Sequence, residues 1–336
     1  MVDVDLRKFH SKMNSRTMET DRIMKKKKGV IGSLILAMLL LSVLPSFAQK
    51  QKVWLDSDTG NEMDDLYAIV RLLKDPSVDV VGLSSAHFNN PDLLVFEKWN
   101  AYDTKDLNTL EDSQRLNELI LETMNLSKIP HPKGGDRQIG RAWGGTEPRD
   151  SPAARQIIEI AKSLPDGEKL DILTLGALTN IASAIIIDPE ILLKIRVFSL
   201  GAKYNQQSRA WSKNEFNIRN DLNAFDYMLD LQDLDFTVMP LETALPLKFD
   251  REETYEKTDD SIPIEKILAD RWREQNPQDK TRVMWDLALV QAYLLPQHSK
   301  MMRVNSPPEN KSFTVNIFSE IDKDALMEDF WTYLRK

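Results

Sequence analysis

Residues 53–70 read Val-Trp-Leu-Asp-Ser-Asp-Thr-Gly-Asn-Glu-Met-Asp-Asp-Leu-Tyr-Ala-Ile-Val. A short apolar run closes on Asp56 and Asp58, and Gly60-Asn61 supplies a turn. Asp64-Asp65 then open a segment whose apolar residues Leu66, Ile69, Val70 and Leu73 recur at helical spacing. The stretch predicts a strand, a tight turn and a helix, with four carboxylates at the strand's C-terminal end. Open α/β sheets bind their ligands outside that edge. Taken singly, each Asp has a plain structural use as a helix N-cap or a turn residue. All four together do not, because like charges this close stay ionised only beside a cation and otherwise take raised pKa values.

The fold is expected to begin after residue 48. Lys25-Lys26-Lys27-Lys28 follow Met24, an apolar run covers 30–44, and Pro45-Ser46-Phe47-Ala48 precedes Gln49. This order of a basic start, an apolar middle and small residues reads as a secretory signal peptide over 1–48, with Met24 its true start. The run is shorter than the ~20 apolar residues of a membrane span. The expectation is a cleaved leader, no stable membrane anchor, and one periplasmic or secreted domain over 49–336. Without the leader, nine of the 44 Lys/Arg and four of the 52 Asp/Glu are lost, leaving 35 against 48 and a net charge of −13. That balance argues against a nucleic-acid partner, whose binding rests on neutralising phosphate. The chain has no cysteine, so thiol catalysis, disulfides and zinc–thiolate sites are excluded. His87, His131 and His298 are too scattered for a His-rich site. Oxygen ligands around a hard cation fit the inventory, with calcium first.

Strand and helix patterns alternate along the rest. Strands are expected at 52–57, 78–85, 170–175, 196–200, 235–241 and 312–317, and helices at 64–74, 111–125, 179–187, 222–231, 284–295 and 323–334. Ser151-Pro152 carries a cap residue and a first-turn proline for another helix. Residues 90–110 and 201–220 read as loops, and 250–282 as a charged helical region over the sheet edge or beside the site. The alternation implies an open, mostly parallel sheet with helices on both faces, a Rossmann-like core. Polar residues that close each strand would converge on one crevice: the four Asp, Ser84, Ser85, His87 and Asn89, then Thr179-Asn180, Glu215-Phe216-Asn217 and Asp286.

These segments, in this order, resemble the nucleoside hydrolase family, the inosine–uridine-preferring nucleoside N-ribohydrolases. The first stretch is similar to the family's DxDPGxDD signature, and Gly82-Leu83-Ser84-Ser85 before Asn89 to its second strand. Leu175-Gly176-Ala177-Leu178-Thr179-Asn180-Ile181-Ala182 resembles the GPLTNIA segment, Glu215-Phe216-Asn217 with Asp221 and Ala224 the EFNxxxDPxA segment, and Met284-Trp285-Asp286-Leu287-Ala288 the final metal-ligand motif. The resemblance spans almost all of 49–336. It implies a calcium ion held by the carboxylates of Asp58, Asp65 and Asp286 and the carbonyl of Leu175, with Asp58 also the general base on the water that calcium holds. Asp64, Asn89, Glu215 and Asn217 would bind the ribose of a nucleoside, and Asp56 would support the cluster from behind. Trp285 stands where purine-preferring members stack a tryptophan on the base, so purine nucleosides are expected ahead of pyrimidines. His87 is a candidate for the leaving-group side or for a structural role, and Trp99, Trp143 and Trp211 for the base pocket. The resemblance further implies a bacterial, homo-oligomeric enzyme.

The chain departs from the family pattern in one respect within the signature. Thr59-Gly60-Asn61-Glu62-Met63 between Asp58 and Asp64 is two residues longer than the family spacing, so Glu62 is an alternative to one of the Asp pair. Two other readings use the same residues: hydrolysis of a different riboside or glycoside, and a non-catalytic secreted nucleoside- or sugar-binding protein. A haloacid-dehalogenase-type phosphatase also places Asp-x-Asp at a strand end, but here Thr59 follows Asp58 directly and no matching lysine motif follows.

Overall fold

The computed structural model describes residues 50–89, 108–311 and 313–336. The leader, Trp99 and most of the loop expected over 90–110 lie outside them. β1 (Gln51–Ser57), α1 (Asp64–Leu73) and β2 (Val78–Ser85) follow in the expected order. After α2 (Thr109–Thr123) comes α3 (Pro152–Ser163), whose cap Ser151 accepts the N–H of Ala154 through its hydroxyl. β3 (Leu170–Thr174) runs into α4 (Thr179–Ile187), and a six-residue 3₁₀ segment (Pro189–Lys194) then leads to β4 (Ile195–Leu200).

The 201–220 stretch is not a plain loop. It holds a hairpin, β5 (Lys203–Asn205) with β6 (Ala210–Ser212), and a five-residue helix α5 (Phe216–Asn220). Three-residue strands carry too little alternation to stand out in sequence. α6 (Leu222–Leu229), β7 (Asp235–Met239) and α7 (Leu241–Ala244) follow. The charged region is a lobe of α8 (Arg251–Lys257) and α9 (Pro263–Gln275), closed by antiparallel pairing of β8 (Lys248–Asp250) with β9 (Thr281–Val283). α10 (Trp285–Leu294), β10 (Ser299–Asn305), β11 (Thr314–Ile321) and α11 (Lys323–Leu334) end the chain. β10 has no counterpart in the sequence pattern because it is a mostly exposed edge strand, and such strands lack the apolar run of a covered one.

Seven strands form one sheet in the order β10-β11-β7-β4-β3-β1-β2, parallel throughout except for β10 against β11. Both faces are covered, as expected for a parallel sheet. β1 sends Val53 and Leu55 into one apolar layer with Leu66, Leu287 and Phe330. Trp54 points into the other, with Ile157, Ile181 and Phe225. β3 divides the same way, with Leu173 on one side and Ile172 on the other. From β1 the chain crosses to β2 on one side and later returns as β3 on the other. The C-terminal ends of β1 and β3 therefore flank a topological switch point, where α/β sheets open a ligand crevice.

Candidate active site

The crevice is a cavity of about 300 Å³. Asp58, Glu62, Asp64, Glu215 and Asp286 line it with carboxylates, and Asn61 and Asn217 with amides. Trp285, Phe216, Leu200 and Leu241 make its apolar wall. Asp58 follows β1, and the N–H of Asn61 closes the turn onto its carbonyl at 2.7 Å. Asp64 and Asp65 occupy the first turn of α1, where the helix dipole favours negative charge. Neither caps the helix; Met63 stands at the cap position and makes no side-chain cap bond. Asp64 Oδ2 instead accepts the N–H of Asp286 at 3.0 Å, and Asp65 Oδ1 accepts the Ser57 hydroxyl at 2.6 Å. One carboxylate oxygen each from Asp64, Asp65 and Asp286 lie within 4.8 Å of one another.

Burial sets the electrostatics. It pushes the Asp64 carboxyl up to about 8, with Glu62 and Asp65 adding to the shift, and Asp65 up to about 6. Asp58 and Asp286 also rise well above the usual carboxylate range, through burial first and then through their acidic neighbours. Asp58 Oδ2, Asp64 Oδ1 and Asp286 Oδ1 are buried and receive no hydrogen bond from the described residues. Clustered oxygen donors with free lone pairs and unfavourable mutual charge fit a hard divalent cation, which would return the carboxylates to their ionised forms. The geometry brings Asp64 into the same trio as Asp65 and Asp286, and Asp58 lines the same cavity. Gly176 admits Asp58 there, since a Cβ at that position would lie 2.7 Å from Asp58 Oδ1.

The other sequence-predicted residues divide. Glu215 caps α5, accepting the N–H groups of Asn217 at 3.1 Å and Ile218 at 3.0 Å, and burial raises its carboxyl. Asn217 donates its side-chain amide to the Leu175 carbonyl, so both reach the cavity as one unit. Trp285 lines the cavity at the start of α10. Asp56 is buried behind the cluster, accepting from Ser84 and, at 2.8 Å, from Asn180. His87 and Asn89 do not line the described cavity. The His87 ring lies 2.9 Å from the Thr179 hydroxyl, which donates to Asp221 at 2.5 Å, and burial lowers the imidazole to about 4. Asn89 donates to the Asp136 carbonyl at 3.1 Å. Trp143 is 82% exposed, and Trp211 donates to the Asn305 carbonyl at 2.8 Å, so neither joins the wall.

Sequence reasoning placed Phe216 at the crevice with Glu215 and Asn217 but missed Leu200 and Leu241, which complete its apolar wall. It also missed the grip of the α8–α9 lobe on the turn after β1. Arg271 donates to the Gly60 carbonyl at 2.8 Å, and Arg282 to Glu62 at 2.5 Å.

Comparison with known proteins agrees with this architecture. The family model described as "Inosine-uridine preferring nucleoside hydrolase" matches residues 53–327. The "Probable uridine nucleosidase 2" of Arabidopsis thaliana is 27% identical over 192 residues, 54% of this chain and 56% of that protein, so the match spans little more than half of that curated relative. Among solved structures, a plant nucleoside hydrolase superposes with a TM-score of 0.64 at 18% identity, covering 84% of this chain and 98% of the other. The "Purine-Preferring Ribonucleoside Hydrolase from Gardnerella vaginalis" gives 0.61 at 19% identity, covering 84% and 98%. At such identities the structural likeness speaks to the fold.

Proposed function

The chain belongs to the inosine-uridine preferring nucleoside hydrolase family, and from that premise we propose that it hydrolyses the N-glycosidic bond of ribonucleosides to base and ribose, purines ahead of pyrimidines, with calcium in the carboxylate cluster. The observation that carries this reading is the set of buried carboxylates with unbonded oxygens at the switch point between β1 and β3. Asp58, Asp65, Asp286 and the Leu175 carbonyl would hold the ion, and Asp64, whose carboxylate oxygen lies within 4.8 Å of those of Asp65 and Asp286, is within reach of it. When bound, calcium supplies charge compensation for the carboxylates and lowers the pKa of water.

Asp58 takes the proton from the attacking water, in the space that the missing side chain of Gly176 leaves for its carboxylate. A positioned carboxylate base contributes about 10²–10⁴-fold. As the C–N bond breaks, positive charge spreads over the ribose ring, as in glycoside hydrolysis. The carboxylates lining the cavity favour that charge. Glu215 and Asn217 are fixed before substrate arrives by the backbone N–H groups and the carbonyl they engage, so they bind ribose hydroxyls without reordering. Trp285 and Phe216 line the cavity with aromatic rings on which the leaving base can pack.

Release of ribose from inosine, guanosine, adenosine, uridine and cytidine by the purified protein, with calcium and with chelator, tests this directly. Chelator-sensitive release with purines ahead supports it. No release from any of the five while calcium still binds would move the substrate to another glycoside or leave a binding protein. The basic and apolar order of residues 25–48 supports an exported bacterial enzyme; the exported protein should then begin at Gln49 by N-terminal sequencing. Family resemblance supports a homo-oligomer, which light scattering would detect.

A further inference from the structure

We propose that Arg282, acting through Glu62, is a positioning residue for the carboxylate cluster. With Arg271 and Gln275 it holds the long turn between Asp58 and Asp64 in the shape that makes both ends face one cavity. What the cluster does rests on the proposed function; the geometry does not.

Three successive residues of that turn are gripped from one segment. Arg271 donates to the Gly60 carbonyl at 2.8 Å, Gln275 to the Asn61 carbonyl at 3.3 Å, and Arg282 to the Glu62 carboxylate at 2.5 Å. Arg271 and Gln275 are four apart on α9 and so share a face. Arg282 lies in β9, just ahead of Trp285 and Asp286. Its guanidinium also donates to Asp279 at 3.0 Å, so the fork bridges two acids, and its side chain is only 17% exposed. The segment that delivers Asp286 to the cavity therefore also fixes the turn that delivers Asp58, Asp64 and Asp65. The two residues by which this turn exceeds the family spacing are held, not slack. An exposed ion pair would contribute little, but a planar fork at a partly buried bridge fixes direction, and lysine cannot reproduce it.

Arg282→Lys keeps the charge and loses the fork, whereas Glu62→Gln removes the charge at the other end. Both should speed amide hydrogen exchange of residues 59–63 in chelator. Both should weaken calcium binding by ~10-fold, as loss of an outer partner of a metal site does, measured by calorimetry without substrate. Both should also lower kcat more than they raise KM. The double variant should be no worse than the worse single one, because both remove one interaction. Wild-type exchange and calcium affinity in Arg282→Lys would overturn the proposal, and so would additive effects, since Glu62 would then act in the cavity by itself. The exchange measurement needs neither metal nor nucleoside. A wild-type protein that binds no calcium and cleaves nothing would therefore sink the proposed function while the positioning role is still decided.

Discussion

Replacing Asp64 by asparagine should stabilise the protein in chelator and reduce the further stabilisation gained on adding calcium. Asp64 is 1% exposed, and burial with its acidic neighbours raises its carboxyl from 3.8 to about 8. At pH 7 the unfolded chain carries this group ionised, while the folded chain without a cation keeps it protonated. Holding the proton some three pH units above the unfolded pKa costs about 1.4 kcal/mol per unit, or roughly 4 kcal/mol. That is an upper limit, because Asp64 titrates with Asp58, Asp65 and Asp286 as one system and the penalty is shared. Asparagine has the same shape and keeps an acceptor for the Asp286 N–H. The expected gain in chelator at pH 7 is ~1–4 kcal/mol, a rise in Tm on the order of 2–10 °C. The sign follows from linkage. A carboxyl raised in the folded state binds an extra proton there between pH 4 and 8, so the chelated wild type loses stability as pH rises through that window. Asp64→Asn should flatten part of that slope. Scanning calorimetry at pH 5, 6, 7 and 8, with chelator and with calcium, reads both effects. A variant less stable than wild type in chelator at pH 8, or one with an unchanged pH slope, would refute the argument that these carboxylates are held together against desolvation and mutual repulsion.

Three further substitutions probe the site. Asp58→Ala should lower kcat for ribose release by at least ~10²-fold with the far-UV circular dichroism unchanged; normal turnover would remove Asp58 from the role of base. Gly176→Ala places a Cβ 2.7 Å from Asp58 Oδ1, so the base must shift. Its kcat should fall steeply while overpacking costs only ~1–3 kcal/mol by denaturant melts, and equal losses in a control alanine elsewhere on the β3–α4 connection would discount the contact. Trp285→Ala should raise KM for purine nucleosides roughly fivefold or more, the value of a base stacked on an aromatic ring, and raise it less for uridine; an equal rise for both bases would dismiss stacking.

Much of the catalytic end was legible because it is local. The apolar run of β1, the Gly60-Asn61 turn and the periodicity of α1 lie within residues 51–73, and they alone place Asp56, Asp58, Asp64 and Asp65 at a strand's C-terminal edge. Ser151-Pro152 marked α3, and Thr179 the start of α4, because caps and first turns are set by neighbouring residues. Alternation of runs was enough for a parallel sheet covered on both faces. The hairpin of β5 and β6 and the edge strand β10 escaped because short or solvated strands leave little pattern. His87 and Asn89 followed the expected strand, yet partners from elsewhere in the chain, Thr179 and Asp136, engage their side chains.

What the sequence determined by itself was thus the class of sheet, the chemistry of its richest edge and the oxygen ligands on offer. Only the tertiary structure decided which carboxylates meet. Asp286 reaches Asp64 across 222 residues and Arg282 reaches Glu62 across 220, because the β3 and β2 sides of β1 open the crevice and the α8–α9 lobe folds back over its rim. No periodicity encodes such distances. They follow from strand order, and strand order is the outcome of burying both faces of one sheet at once.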